Sequence, residues 1–252
     1  MKAISYFLCM AVLSAVLFSC KKNDDAAVPA QTTLLSKAIY SAVGTYDYTY
    51  DAQNRMKTET YSGNASNPAD VVTFTGYDSN GRLTGYTVHY TTGSYTDYNG
   101  VVIYNSDGKP DKIFYYNVTG PLLYYYGFTY SGSVVTVKQY NAAGTVTSTT
   151  EHTYSADGKN VVQSKSYNSS GTLTSTSVYS NFDTKKSADA LFPSGYSSIP
   201  ANENNWQNLS RTNNSTGVVT GFTVTYQYNS EGYPTYRTAD NGSTIEYQYI
   251  KK

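Results

Sequence analysis

One phrase returns along most of this chain and limits what it can fold into. It consists of an aromatic residue, Asp or Asn, two variable residues, Gly, and then often Lys, Arg or Thr. It reads Tyr77-Asp78-Ser79-Asn80-Gly81-Arg82 and Tyr104-Asn105-Ser106-Asp107-Gly108-Lys109, and it recurs from Tyr140, Tyr154, Tyr167 and Tyr228. Tyr50-Asp51-Ala52-Gln53-Asn54-Arg55 is a variant with Asn at the glycine place. Gly or Asn there accepts the positive φ of a tight hairpin, and the leading Asp or Asn can bond the turn backbone. Tyr50, Tyr77 and Tyr104 stand 27 residues apart, which fits two strands and two turns. Tyr140, Tyr154 and Tyr167 follow at 14 and 13 residues, one strand and one turn each. Spacing this regular marks a repeat. The expected fold class is all-β, an antiparallel up-and-down meander of repeated hairpins.

Composition agrees. Tyr occurs 29 times in 252 residues, beside many Thr, Val, Ser, Asn and Gly. Aromatic and β-branched side chains suit a pleated, half-buried surface. Tyr can also cover apolar area with its ring while its hydroxyl stays wet. Alternation is cleanest at Phe222, Val224, Tyr226 and Tyr228, which face opposite to Thr223, Thr225 and Gln227. Residues 145–180 are poor in apolar groups, and Thr147-Ser148-Thr149-Thr150-Glu151 offers none on either face. Such a strand does not line a sandwich core, so an extended twisted single-layer sheet or an open barrel is expected. Residues 183–216 break the pattern and read as one irregular or short-helical insertion, capping a sheet end.

The N-terminus carries a separate signal. Lys2, an apolar run over 3–18 and the sequence Leu17-Phe18-Ser19-Cys20 have the length and order of a secretory leader ending at a small residue. Residues 1–19 are read as a lipoprotein signal peptide, and residues 20–36 as the lipidated Cys20 followed by a flexible linker. Residues 37–252 then form the repeat β domain. Without Lys2, 17 basic side chains face 18 acidic ones. With no basic excess to neutralise phosphates, nucleic acid is not an expected partner. With Cys20 lipidated and Cys9 removed, no thiol is left for a disulfide, a nucleophile or a metal.

The lipobox, the Tyr-Asp-x-x-Gly-Lys/Arg hairpins, the interruption opening Phe182-Asp183-Thr184-Lys185-Lys186 and the phrase Tyr226-Gln227-Tyr228-Asn229-Ser230-Glu231-Gly232-Tyr233-Pro234 together point to a family. They resemble surface lipoproteins of the Bacteroidota type that carry a tyrosine–aspartate (YD/RHS-like) repeat domain of unknown function. The resemblance covers roughly residues 35–252. It implies a lipid-anchored outer-membrane location, at the cell surface or the periplasmic face, and supplies no catalytic residues. It also implies that Lys21-Lys22-Asn23-Asp24-Asp25 resembles an export tag, against the plainer reading of a solvated linker.

Candidate chemistry is sparse. His89 and His152 lie in different expected strands, too far apart in sequence to read as a metal pair. Ser is so frequent that a Ser near either His carries no information. Asp78-Ser79-Asn80-Gly81 opens like a calcium loop but has no Glu at the twelfth position. No catalytic residue, metal site or cofactor is assigned. The aromatics remain: Tyr115, Tyr116, Tyr124, Tyr125, Tyr126 and Trp206 are the candidate ligand-binding residues, because sheet-borne rings can stack on sugars. The alternative is that cross-strand Tyr pairs only hold a thin sheet together. The expected activity is a non-enzymatic surface module binding glycan. Next comes a structural or assembly protein contacting other envelope proteins through its sheet, and more remotely a hydrolase. The partners are thus the membrane, through lipid, and polysaccharide or envelope proteins.

Overall fold

A computed structural model describes residues 31–64, 67–91, 95–198 and 201–252. The leader, Cys20 and most of the linker lie outside these residues. Sixteen strands follow one another: β1 Thr33–Tyr40, β2 Gly44–Tyr50, β3 Met56–Tyr61, β4 Asp70–Tyr77, β5 Leu83–Tyr90, β6 Tyr98–Tyr104, β7 Pro110–Asn117 and β8 Leu122–Ser131. They continue as β9 Val134–Asn141, β10 Val146–Tyr154, β11 Val161–Asn168, β12 Leu173–Ser180, β13 Asn208–Asn213, β14 Val219–Tyr228, β15 Pro234–Ala239 and β16 Thr244–Lys251. β1 thus takes up residues 33–36 of the expected linker, where Leu34 and Leu35 are buried. β13 takes residues 208–213 of the expected interruption.

Every strand pairs antiparallel with its sequence neighbours, as a meander requires, and β1 pairs with β16 to close a barrel. The open or single-layer sheet expected from the sequence is therefore corrected. The seam runs in register from Thr33↔Lys251 to Tyr40↔Ile245, with one irregularity between Leu35 and Lys37. Glu231 fastens the seam by accepting from both Thr33 and Lys251. Closure removes both sheet edges, which would otherwise be templates for another chain.

The repeat turns work as their residues suggest. In the turn after β2, Asn54 has φ +61°, and Gly81 and Gly108 have φ +75° and +76° at the matching places. Asp51 and Asp78 accept from the turn backbone and grip Arg55 and Arg82 four residues on. Each Arg then lies over the tyrosine of the next copy, Arg55 at 4.6 Å from the Tyr77 centroid and Arg82 at 4.5 Å from that of Tyr104. Those tyrosines reach back to a carbonyl of an earlier strand, with Tyr104 donating to the Leu83 carbonyl at 2.8 Å. One phrase is thus a turn and a clasp on its neighbour. Copies 27 residues apart fall at one end of the barrel, and the copies from Tyr140 and Tyr167 fall at the other. With an even strand count, Thr33 of β1 and Lys251 of β16 both lie at the first of these ends, called here the termini end.

A sixteen-strand barrel leaves a wide lumen unless something fills it. Two things do. Inward positions carry Leu35, Met56, Val72, Phe74, Leu83, Tyr86, Val102 and Ile113, all buried. The irregular residues 181–198 and 201–207 leave β12 at the termini end and pack inside as a plug, where Leu191, Phe192 and Tyr196 join the core. Tyr196 packs edge-on against Phe74 and Tyr86, with ring centroids 5.0 and 5.5 Å away. Gly195 permits the approach: its φ is +83°, and a Cβ would meet Val102 Cγ1 at 2.6 Å. The segment expected to cap a sheet end therefore enters the barrel.

Part of the outer wall carries charged side chains. Transmembrane barrels face lipid with an apolar band and keep their polar residues inside. Here Lys37 and Asp47 pair on the outer face at 3.0 Å, and Lys112, Lys138, Glu151 and Lys165 also point outward, opposite in register to the buried face. The polar stretch 145–180 also finds its place. Ser148, Thr150, His152, Ser164 and Ser177 share the inward face of β10–β12. They line a lumen wall rather than pack against a second layer, so apolar side chains are not required there.

Candidate functional site

Four aromatic rings gather at the end of the barrel opposite the termini. Tyr46 and Tyr61 are cross-strand partners on β2 and β3, stacked at 4.7 Å and 23°. Tyr90 closes β5, and Tyr95, 57% exposed in the following loop, leans on it at 5.3 Å and 34°. Between the pairs lies a hollow of about 310 Å³, which Asn67 and Asp70 also line. Burial holds the Asp70 carboxyl above the usual carboxylate range. Ring faces, an amide and a carboxyl around one opening can stack on a sugar ring and bond its hydroxyls.

A second cavity, about 200 Å³, lies between the plug and the wall of β14, β15, β16 and β1. Trp206, Asp189 and Asn205 line it from the plug, and Tyr226, Arg237 and Tyr247 from the wall. Its local order is well specified. Ser187 caps the 3₁₀ turn Ala188–Leu191 that carries Asp189. Asn205, buried, is held by Asp183 and by the Lys186 carbonyl. The hydroxyl of Tyr226 donates to the Trp206 carbonyl at 3.1 Å.

The six residues singled out from the sequence do not share one surface. Tyr115, Tyr124 and Tyr126 face the lumen, with Tyr115 stacked on Tyr124 at 4.4 Å. Tyr116 and Tyr125 face outward, where Tyr125 stacks on Tyr140 at 4.6 Å. Trp206 belongs to the plug. The hollow's tyrosines were not distinguishable in sequence, since each sits in a strand or loop with nothing to set it apart from other Tyr. Arg237 had one faint mark: it is a basic residue in a strand, outside the repeat phrase.

The two histidines stay apart. His89 Nδ1 meets Asp97 at 2.6 Å, exposed near the far-end hollow. His152 Nδ1 meets Ser164 Oγ at 2.8 Å on the lumen wall, and burial lowers its pKa. Among the described residues, His89 is bonded to an acid and His152 to a serine, and neither is bonded to both. Among the described residues, no three His, Cys, Asp or Glu side chains cluster as metal ligands.

No protein-family model matches the chain. No curated protein matches it either. Among solved structures, a porin-like protein from Bacteroides vulgatus ATCC 8482 aligns at TM-score 0.46 and 8% identity, covering 86% of this chain and 99% of that one. A porin-like protein from Bacteroides uniformis ATCC 8492 aligns at TM-score 0.41 and 16% identity, over 86% and 96% of the two chains. A weaker likeness, TM-score 0.20 at 12% identity, is to the Photorhabdus luminescens Tc holotoxin pore, covering 77% of this chain and 12% of that one. At these scores the likenesses assign neither an activity nor a place in a membrane.

Proposed function

We propose that this chain is a non-enzymatic, lipid-anchored outer-membrane protein that binds glycan in the far-end hollow. The observation that carries the reading is the pair of Tyr stacks around Asn67 and Asp70. At about 310 Å³, the hollow is at the lower end of small-molecule clefts, roughly 300–1,000 Å³, which suits one or two sugar residues of a longer polymer. The Leu17-Phe18-Ser19-Cys20 sequence supports the anchor. Residue 32 enters the barrel at the termini end, so a tether there leaves the hollow at the opposite end, free to meet a polymer. Retardation in native gels containing a panel of polysaccharides tests the reading. One polymer class should retard residues 21–252, and Tyr95→Ala and Tyr46→Ala should abolish the effect while Tyr125→Ala leaves it intact. Retardation by no polymer, or retardation indifferent to Tyr95 and Tyr46, would refute it.

The second reading is an assembly role. Closure leaves no strand edge for a partner, so contact would use the outer face of β6–β9. There Val101, Ile103 and Leu123 are 37%, 44% and 37% exposed beside Phe114, Tyr116 and Tyr125. Loss of co-purifying envelope proteins on Ile103→Lys, with glycan retardation absent, would favour it.

A further inference from the structure

The cavity beside the plug holds two opposite charges that do not meet. Arg237 projects inward from β15, its guanidinium carbon 4.9 Å from the centre of the Trp206 ring. Its Nε is buried with no hydrogen-bond partner. A buried polar group left unbonded is destabilising, the more so when charged, so such a donor needs an explanation. Asp189 faces the same space from the 3₁₀ turn. Its side chain is reachable by water although protein surrounds it, and that enclosure raises its pKa while the charge of Arg237 opposes the rise. Neither side chain is in an ion pair among the described residues.

The ligand class follows from this pairing. A simple anion would satisfy Arg237 and be repelled by Asp189. A simple cation would meet the reverse. A neutral sugar would displace water from both charges and replace neither counter-charge. A molecule carrying both charges close together answers both groups. We propose that the cavity binds a small zwitterion of the α-amino-acid class, its carboxylate on Arg237 and its ammonium on Asp189. Size sets the limit on the side chain. At about 30 Å³ per water, 200 Å³ holds roughly six or seven waters, and hence a ligand of about that many heavy atoms. The aromatic walls of Trp206, Tyr226 and Tyr247 leave room for a small side chain only. This site is separate from the far-end hollow, and neither reading depends on the other.

Trp206 is the only tryptophan and lies against Arg237, so its fluorescence reports on the site directly. The mature chain is titrated with glycine, L-alanine and L-serine, and with acetate and methylammonium as half-ligands. At least one zwitterion should give a saturable change, with each half-ligand weaker by about tenfold or more. Arg237→Met and Asp189→Asn should each weaken binding by a similar factor. Should Arg237→Met fail to fold, Asp189→Asn, on the solvent-reachable side of the cavity, decides. No saturable change with any of the three zwitterions overturns the proposal, as does acetate binding equal to theirs or binding indifferent to Asp189→Asn.

Discussion

Replacing Glu59 by Gln should flatten the pH dependence of this protein's stability between about pH 4.5 and 7. Glu59 sits on the inward face of β3, 6% exposed, and accepts from the Tyr196 hydroxyl of the plug at 2.7 Å. Burial pushes its carboxyl up from 4.5 to about 7; the Tyr196 bond opposes the rise and the nearby Asp70 adds to it. An acid whose folded pKa exceeds its unfolded one binds its proton more tightly when folded. Its contribution is fully present below pH 4.5 and is lost as pH rises through 7. A rise of that size corresponds to about 3 kcal/mol. Gln keeps an acceptor for Tyr196 and carries no charge. Glu59→Gln should therefore be about 3 kcal/mol more stable than wild type at pH 8 and nearly equal to it at pH 4.5. Urea unfolding followed by Trp206 fluorescence at several pH values measures the difference. Subtracting the two proteins cancels His152, whose lowered pKa weakens the fold in the opposite direction, toward acid. Parallel curves for the two proteins across this range would show that Glu59 is ionised in the barrel, and the burial argument would fall.

Two further substitutions probe how the plug is held. The Tyr104 hydroxyl lies 2.8 Å from the Leu83 carbonyl and 2.7 Å from that of Ser194, between wall and plug, and has one proton to give. Tyr104→Phe should cost about 1 kcal/mol in urea unfolding, and no loss would mean the carbonyls find water instead. Gly195→Ala combines a left-handed backbone with a Cβ 2.6 Å from Val102, so a loss of about 2 kcal/mol or more and a lower Tm are expected. An unchanged Tm would mean that the plug does not dock as described.

The hairpins were legible because their cause is local. A Gly or Asn with positive φ and an Asx side chain on the turn backbone act within five residues, and the 27-residue spacing already implied turns sharing one end. Closure was not legible. It depends on Thr33 meeting Lys251 across the length of the domain, and no pattern inside either strand announces that partner. The polar stretch around Thr147–Glu151 argued for an open sheet only on the assumption that an inner face must pack against another layer. A lumen wall has no such requirement. Alternation through Tyr124-Tyr125-Tyr126 was readable and does divide the rings between faces, but which face met water depended on closure. Arg237 and Asp189 belong to separate elements and are brought together by the plug's path, which no periodicity encodes.

The seam has a consequence for how the chain could be rewired. Thr32 and Lys252 exchange two backbone hydrogen bonds, at 2.8 and 3.2 Å, so the chain enters and leaves the barrel side by side. Joining them by a short linker and cutting the chain instead in the exposed turn at 118–121 would give a circular permutant in which each of the sixteen strands keeps its two neighbours. Its new ends would emerge at the opposite rim. A tether placed there would hold the barrel by the end that carries the aromatic hollow and turn the plugged end outward.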